Sequence, residues 1–153
     1  MLTAIQQAFF PLLFAIMICG CSMRDPDSEK KNLKNILDND KAFSEVSKLH
    51  GMKKAFIDYI DNDGILLRPN HSPILGAEAI DYLTQTNDSS FSLTWQPMGG
   101  DISSSGDLGF TYGMYTLILK DSSIKGTYVS IWKKQKDGKW KFVLDSGNEG
   151  IGK

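Results

Sequence analysis

The second half of the chain alternates between long β-prone segments and short turns, and this pattern constrains the fold more than any other feature. Segments rich in β-branched and aromatic residues span 91–102, 108–120, 124–136 and 139–146. The Asp137-Gly138 pair between the last two is typical of a two-residue hairpin turn. Pro97 and Gly99-Gly100 interrupt the first segment, where we expect a bend or bulge. The pattern predicts a four-stranded antiparallel meander.

The first half of the domain has the period of helices. Apolar residues at helical spacing predict helices over 40–50, 52–60 and 77–84, with Asp40 as the N-cap of the first and Gly51 as its end. A short strand over 64–69 separates the second and third helices and ends at Pro69. Helices followed by a meander indicate the α+β class, with the helices on one face of the sheet.

The N-terminus has the pattern of a secretory signal. Residues 1–20 contain no Lys, Arg, Asp, Glu or His, and the apolar run over 8–19 is too short to cross a bilayer as a helix, which takes about 20 residues. The run ends at Ile18-Cys19-Gly20-Cys21, which resembles the signal of bacterial lipoproteins. We expect a signal peptide over 1–20, a lipid on Cys21, a tether over 21–38 and one domain over 39–150. The alternative is a buried helix of a cytosolic protein, with Cys21 as a core residue.

Composition excludes several classes of function. The 17 basic and 18 acidic residues give a net charge of -1, which provides no positive field for nucleic acid. Two cysteines cannot form a four-cysteine zinc site, and the two histidines, His50 and His71, stand apart from any carboxylate pattern typical of zinc. No phosphate-binding loop is present. We therefore predict no nucleic-acid partner, no metal and no cofactor. The signal pattern at the N-terminus predicts a location in the bacterial cell envelope, either periplasmic or exposed on the surface.

Four segments together resemble the nuclear transport factor 2-like superfamily, and within it the SnoaL-like branch. They read AFIDYIDNDGILLRPNHSPILGAEAI (55–80), TWQP (94–97), SGDLGFTYGMY (105–115) and GTYVSIWKKQKDGKWKFVLDSGN (126–148). The resemblance implies a cone-like fold in which three N-terminal helices pack on a curved antiparallel sheet around an apolar pocket. The superfamily contains ketosteroid isomerases, dehydratases, epoxide hydrolases and polyketide cyclases, and also domains that only bind or dimerise, so the fold alone does not give the function.

The resemblance does not extend to the chemistry of ketosteroid isomerases. It places their general base just before the proline that ends the first strand, where this chain has Arg68, and an arginine stays protonated at ordinary pH. Their oxyanion-holding tyrosine lies on the first helix, where this chain has none, because no tyrosine occurs before Tyr59. Their second oxyanion donor corresponds to Ser130. We therefore do not expect isomerase activity.

The hairpin turn predicts which residues share the pocket. A two-residue turn at Asp137-Gly138 pairs Ser130 with Asp145 and Trp132 with Val143, and opposed residues share one face of a sheet. The resemblance places Ser130 at the pocket, so this face would be the inner one, with Tyr128 and Trp95 extending its aromatic stripe. The expected pocket is Arg68, Trp95, Tyr128, Ser130, Trp132, Val143 and Asp145.

Asp145 has two interpretations. It can act as a general base or a ligand-orienting acceptor, or it can be structural, pairing with Arg68 or capping backbone amides. The first makes the protein a small-molecule hydrolase, dehydratase or cyclase with Asp145 as catalytic residue. The second makes it a domain without catalysis that binds a small amphipathic ligand, including an anionic one, or dimerises. An unpaired Asp145 in an open cavity favours the enzyme, and an Arg68–Asp145 pair favours binding.

The outer face of the sheet is the expected dimer surface. Trp140, Phe142 and Leu144 alternate with Val143 and Asp145, so the same count places them on the face away from the pocket. An apolar outer face predicts contact with a second copy of the sheet.

Overall fold

The computed structural model describes residues 26–151. The predicted signal peptide, Cys21 and the first residues of the predicted tether lie outside this range. In chain order the helices and strands are α1 (Pro26–His50), α2 (Met52–Tyr59), β1 (Ile60–Leu67), β2 (Ile74–Leu75), α3 (Gly76–Gln85), β3 (Ser92–Ile102), β4 (Leu108–Ile118), β5 (Ser123–Lys134) and β6 (Trp140–Glu149). Within residues 26–151, no helix is both apolar enough and long enough to cross a membrane.

The predicted α+β fold of helices on a curved sheet is confirmed, with one difference in strand direction. The six strands lie in the order β2-β1-β6-β5-β4-β3. The meander from β3 to β6 is antiparallel as predicted, and a register shift between Pro97 and Gly99 marks the expected bulge. The first strand runs parallel to β6, so the sheet is mixed rather than purely antiparallel.

The first helix is much longer than the sequence pattern predicted. It begins at Pro26 rather than at Asp40, so Asp40 lies in its interior and is not an N-cap. Residues 26–38, assigned above to the tether, form its first half, and Ile36 is fully buried. The helix ends at His50, and Gly51 with φ of 90° turns the chain into α2. The predicted end of this helix is therefore correct and its start is wrong.

One face of α1 packs across the sheet and covers its β3 edge. The buried residues of this face recur at helical spacing, at Ile36, Asp40, Phe43, Ser44 and Ser47. The Ser44 hydroxyl both donates to the Trp95 carbonyl and accepts from the Trp95 N–H at 2.8 Å, and the Ser47 hydroxyl donates to the Leu93 carbonyl at 2.6 Å. Backbone groups of the edge strand are thus satisfied by the helix, which limits pairing with another chain there.

The β5–β6 hairpin combines a longer turn with a bulge. The Gln135 N–H donates to the Lys139 carbonyl, so the loop contains three residues, and Gly138 supplies the positive φ of 85° that this loop needs. Trp132 therefore pairs with Phe142 instead of Val143, and a bulge at Val143 restores the predicted pairing of Ser130 with Asp145. The bulge also changes which residues face inward. Trp140 and Phe142 lie in the core, so their predicted place on the outer face is wrong.

Candidate functional site

A cavity of about 190 Å³ lies between the inner face of the sheet and the two N-terminal helices. Aromatic side chains form much of its wall: Phe43, Phe56, Trp95, Tyr115 and Tyr128. Aliphatic and small residues complete the apolar part: Met52, Pro69, Leu93, Leu117 and Gly147. Arg68, Asp145, Ser146 and Glu149 contribute the remaining polar groups. A concave, mainly apolar wall with few polar groups is the usual form of a small-molecule site.

Arg68 and Asp145 form a nearly buried ion pair on the cavity wall. The Arg68 Nη2 donates to Asp145 Oδ1 at 2.8 Å, and Nη1 donates to the carbonyls of Leu67 and Asp145. The second carboxylate oxygen accepts the Ser130 hydroxyl at 2.7 Å. The guanidinium also lies over the Phe56 ring, 5.4 Å from its centroid. Parallel pairing of β1 with β6 produces this contact, because it brings the end of β1 alongside Asp145.

A second carboxylate, that of Asp40, is buried directly behind the aromatic wall. It is fully inaccessible to solvent, yet no cation contacts it among the residues that the structure describes. Its oxygens accept hydrogen bonds from Trp95 Nε1 and the Tyr128 hydroxyl, both at 2.7 Å, and from the Thr111 side chain. Thr111 in turn accepts the indole N–H of Trp132 at 2.7 Å. Because an indole N–H can only donate, the network requires Asp40 to be an acceptor.

The pKa values of Asp40 and Tyr128 are coupled by this contact. Burial raises the pKa of Asp40, and the negative charge of Asp145 adds to the rise, while the hydrogen bonds from Tyr128, Trp95 and Thr111 act in the opposite direction. Burial also raises the pKa of Tyr128, with a further contribution from the Asp40 charge. The Tyr128 phenol therefore stays protonated and remains a hydrogen-bond donor to Asp40.

The structure brings four of the predicted pocket residues to the cavity wall and places the other three elsewhere. Arg68, Trp95, Tyr128 and Asp145 line the cavity. Ser130 lies behind Asp145, where it is buried and hydrogen-bonded to the carboxylate. Trp132 is a core residue that contacts Phe43 and Phe142, and Val143 lies at the β6 bulge, away from the cavity.

Sequence reasoning did not assign Asp40 to the site. It interpreted Asp40 as a helix cap, because the apolar pattern after it was clear and the segment before it was polar. The signals of a longer helix were nevertheless present. Pro26 opens a stretch without Gly or Pro up to residue 50, acidic residues occupy its first turn, and Ile36 lies one turn before Asp40.

The structure gives no indication of a metal centre in the part of the chain that it describes. No group of three or more His, Cys, Asp or Glu side chains within residues 26–151 is arranged to hold a metal ion. Arg68 and Asp145 on the cavity wall are instead engaged with each other.

Comparison of the sequence with family models and with curated proteins finds no match. The structure of this chain is similar to several solved structures. A ketosteroid isomerase-like protein from Erwinia carotovora atroseptica has a TM-score of 0.60 at 13% identity, covering 75% of this chain and 94% of its own. A nuclear transport factor 2-like protein with a cystatin-like fold from Novosphingobium aromaticivorans has a TM-score of 0.60 at 12% identity, over 77% and 81%.

An epoxide hydrolase from M. tuberculosis is a more distant neighbour, with a TM-score of 0.54 at 11% identity over 80% of each chain. Similarity at such identities establishes the fold and not the activity. These neighbours share the arrangement of helices on a curved sheet, as the resemblance implied. The chain therefore has the nuclear transport factor 2-like fold.

Proposed function

We propose that this domain binds a small, largely apolar molecule in the cavity, without catalysing a reaction on it. The observation that carries the proposal is the wall itself, in which aromatic rings surround the Arg68–Asp145 pair. Pockets for drug-sized ligands measure roughly 300–1,000 Å³. A cavity of about 190 Å³ therefore suits a molecule of fragment size, with one aromatic or branched aliphatic group and one polar end.

The state of Asp145 supports binding over catalysis. A general base needs a free carboxylate oxygen within reach of the reacting proton. One oxygen of Asp145 accepts the Arg68 guanidinium and the other accepts Ser130. The Arg68–Asp145 pair is the arrangement expected of the structural interpretation, so the alternative of a hydrolase, dehydratase or cyclase with Asp145 as catalytic residue has less support.

The test is to identify small molecules that co-purify with the protein. Mass spectrometry of the released compounds should find one species enriched with the natural sequence and depleted with Leu117→Trp, which fills the cavity. Ile118→Trp is the matched control, because Ile118 is the next residue of β4 and its side chain is 51% exposed. Equal enrichment with all three proteins, or with none of them, would refute binding in the cavity.

We also propose that Cys21 carries a lipid and anchors the protein in the bacterial cell envelope. The support is the sequence alone: the apolar run, the Gly20-Cys21 junction and the polar residues that follow. Two or more acyl chains anchor a protein stably, since each buried methylene contributes about 0.8 kcal/mol. Cys21→Ser should move the protein from the membrane fraction to the soluble fraction. A Cys21→Ser protein that stays in the membrane would contradict the proposal.

The outer face of the sheet supports the proposal of a homodimer, although of the three predicted residues only Leu144 lies on it. Leu108, Phe110 and Tyr112 on β4 are 45%, 41% and 49% exposed. Phe110 is in register with Ile131, which is in register with Leu144, so these side chains share the outer face. We call Leu108, Phe110, Tyr112, Ile131 and Leu144 the outer patch. A contiguous apolar surface of this kind on a sheet favours contact with a second copy.

Sedimentation of the purified protein at micromolar concentration should show a dimer that the double variant Phe110→Ser, Tyr112→Ser dissociates. Leu49→Ser is the control, because Leu49 is 70% exposed at the end of α1 and lies outside the outer patch. If the protein with the natural sequence sediments as a monomer, the dimer proposal is wrong.

A further inference from the structure

We infer that the cavity selects a positively charged ligand, such as a small hydrophobic amine, over an anionic one. This inference rests on the proposed binding function and adds the sign of the ligand's charge. It follows from an imbalance among the charges around the cavity. The anionic ligand that Arg68 suggested in the sequence would have to displace Asp145, because the structure already pairs that guanidinium with a carboxylate.

The imbalance comes from two further carboxylates. Glu149 lines the cavity at the end of β6. Burial raises the pKa of Tyr115 on the same wall, and the Glu149 charge adds to the rise. Asp40 lies one hydrogen bond behind the wall, held by Trp95 and Tyr128, which both line the cavity. Arg68 is the only cation among the described residues that line the cavity. One guanidinium is therefore present against three carboxylates that lie on the cavity wall or directly behind it.

The charge of Asp40 has no counter-ion within the described part of the protein. Neutral donors satisfy its hydrogen bonds but leave its charge uncompensated, and a buried charge acts over a longer distance than one in water. A cation in the cavity would lie one side chain away from that charge. Among residues 26–151 no lysine or arginine reaches Asp40, so a ligand can supply this favourable interaction.

The wall also has the chemistry that stabilises organic cations. The rings of Trp95, Tyr128 and Phe43 line the cavity, and the faces of such rings attract ammonium groups within about 6 Å. The Arg68 guanidinium already lies over the Phe56 ring in this way. Aromatic rings backed by a carboxylate thus favour an ammonium group, whereas a carboxylate ligand would meet the negative ring faces and three like charges.

The test uses three probes that share one scaffold: phenethylammonium, 2-phenylethanol and 3-phenylpropanoate. Calorimetric titration of the full-length protein in a non-ionic detergent, with detergent alone as the blank, should give the tightest binding for the ammonium. We expect it to bind about tenfold more tightly than the alcohol, and the carboxylate to bind most weakly. Asp40→Asn should reduce the advantage of the ammonium over the alcohol to about threefold or less, with the alcohol's affinity unchanged.

Glu149→Gln is the second variant, because the exposed end of β6 tolerates substitution even if Asp40→Asn fails to fold. Glu149→Gln should weaken the binding of the ammonium probe and leave the affinities of the other two probes unchanged. Asp137→Asn, which neutralises an exposed carboxylate in the hairpin turn, should change none of the affinities. A carboxylate that binds as tightly as the ammonium would overturn the inference and leave the proposed function standing. Failure of all three probes to bind would overturn both.

Discussion

Two carboxylates are buried around the same cavity, and the protein satisfies them in opposite ways. Asp145 on β6 is paired with a full positive charge from Arg68 and with the Ser130 hydroxyl. Asp40 on α1 receives only neutral donors, from Trp95, Tyr128 and Thr111. The first arrangement joins the first and last strands of the sheet. The second joins the helix to the middle of the meander.

The difference teaches that hydrogen bonding and charge compensation are separate requirements. Both carboxylates have satisfied oxygens, so neither is an unpaired polar group. Asp145 has its charge compensated by Arg68, whereas burial without a cation raises the pKa of Asp40. Removing the carboxylate should therefore lower the free energy of unfolding by different amounts at the two sites. Removing the charge alone should make the difference between the two sites clearer.

The largest expected effect is that of Asp145→Ala. The change leaves a guanidinium that is mostly buried without its partner, and breaking a buried ion pair in this way costs about 3–5 kcal/mol. Urea unfolding at neutral pH, followed by tryptophan fluorescence, measures the loss. Glu45→Ala breaks the exposed pair with Lys48 and should cost less than about 1 kcal/mol. Equal losses for the two variants would show that the Arg68–Asp145 pair does not stabilise the fold.

The next effect separates charge from shape. Asp145→Asn keeps the size of the side chain but removes the charge facing Arg68. This change should lower the free energy of unfolding by about 1.5–3 kcal/mol. Asp40→Asn should change stability by no more than about 1 kcal/mol. The amide oxygen can accept from Trp95, the amide N–H can donate to the Tyr128 oxygen, and the uncompensated charge disappears. A larger loss for Asp40→Asn than for Asp145→Asn would contradict this comparison.

The difference between the two carboxylates also explains how far the sequence could predict the site. The place of Asp145 could be predicted because the hairpin register pairs it with Ser130, which is close to it along the chain. That pairing was predicted from a two-residue turn, and the structure reaches it through a longer loop and a compensating bulge. Asp40 and its donors are separated by 55–88 residues, and no local pattern records such contacts.

The fold was more predictable than the site for a physical reason. Alternating and helical periods are local, so from residue 40 onward the three helices and five of the six strands were recognised, and only the two-residue strand β2 was missed. What the sequence missed depends on tertiary context. The polar first half of α1 is helical although its pattern is weak, and the parallel pairing of β1 with β6 joins segments at opposite ends of the domain.

Asp40 should also give the protein a distinctive dependence of stability on pH. Its pKa is raised in the folded state above the ordinary value of 3.8, so the folded state binds the proton more tightly than the unfolded state. The corresponding stability is fully present below pH 3.8 and is lost as the pH rises through the raised pKa. The slope is at most about 1.4 kcal/mol per pH unit for one group.

The measurement compares the natural sequence with Asp40→Asn by urea unfolding from pH 4 to pH 8. The free energy of unfolding of the natural sequence, minus that of the variant, should fall as the pH rises. Exposed carboxylates with lowered pKa, such as Asp107 and Asp137, act in the opposite direction but are present in both proteins, so they cancel. A difference that is constant with pH would show that Asp40 has no raised pKa.

The smallest effect is expected for Tyr128→Phe, and it tests the network one donor at a time. Loss of the hydroxyl removes one of the three hydrogen bonds to Asp40, a net cost of about 1 kcal/mol. The Tyr128 hydrogen bond lowers the pKa of Asp40, so its removal should also move the pH-dependent loss of stability to higher pH. Tyr112→Phe removes a hydroxyl from an exposed residue of the outer patch and should change neither quantity. If Tyr128→Phe lowers stability without shifting the pH dependence, the hydroxyl stabilises the fold through packing alone and Asp40 does not depend on it for its charge.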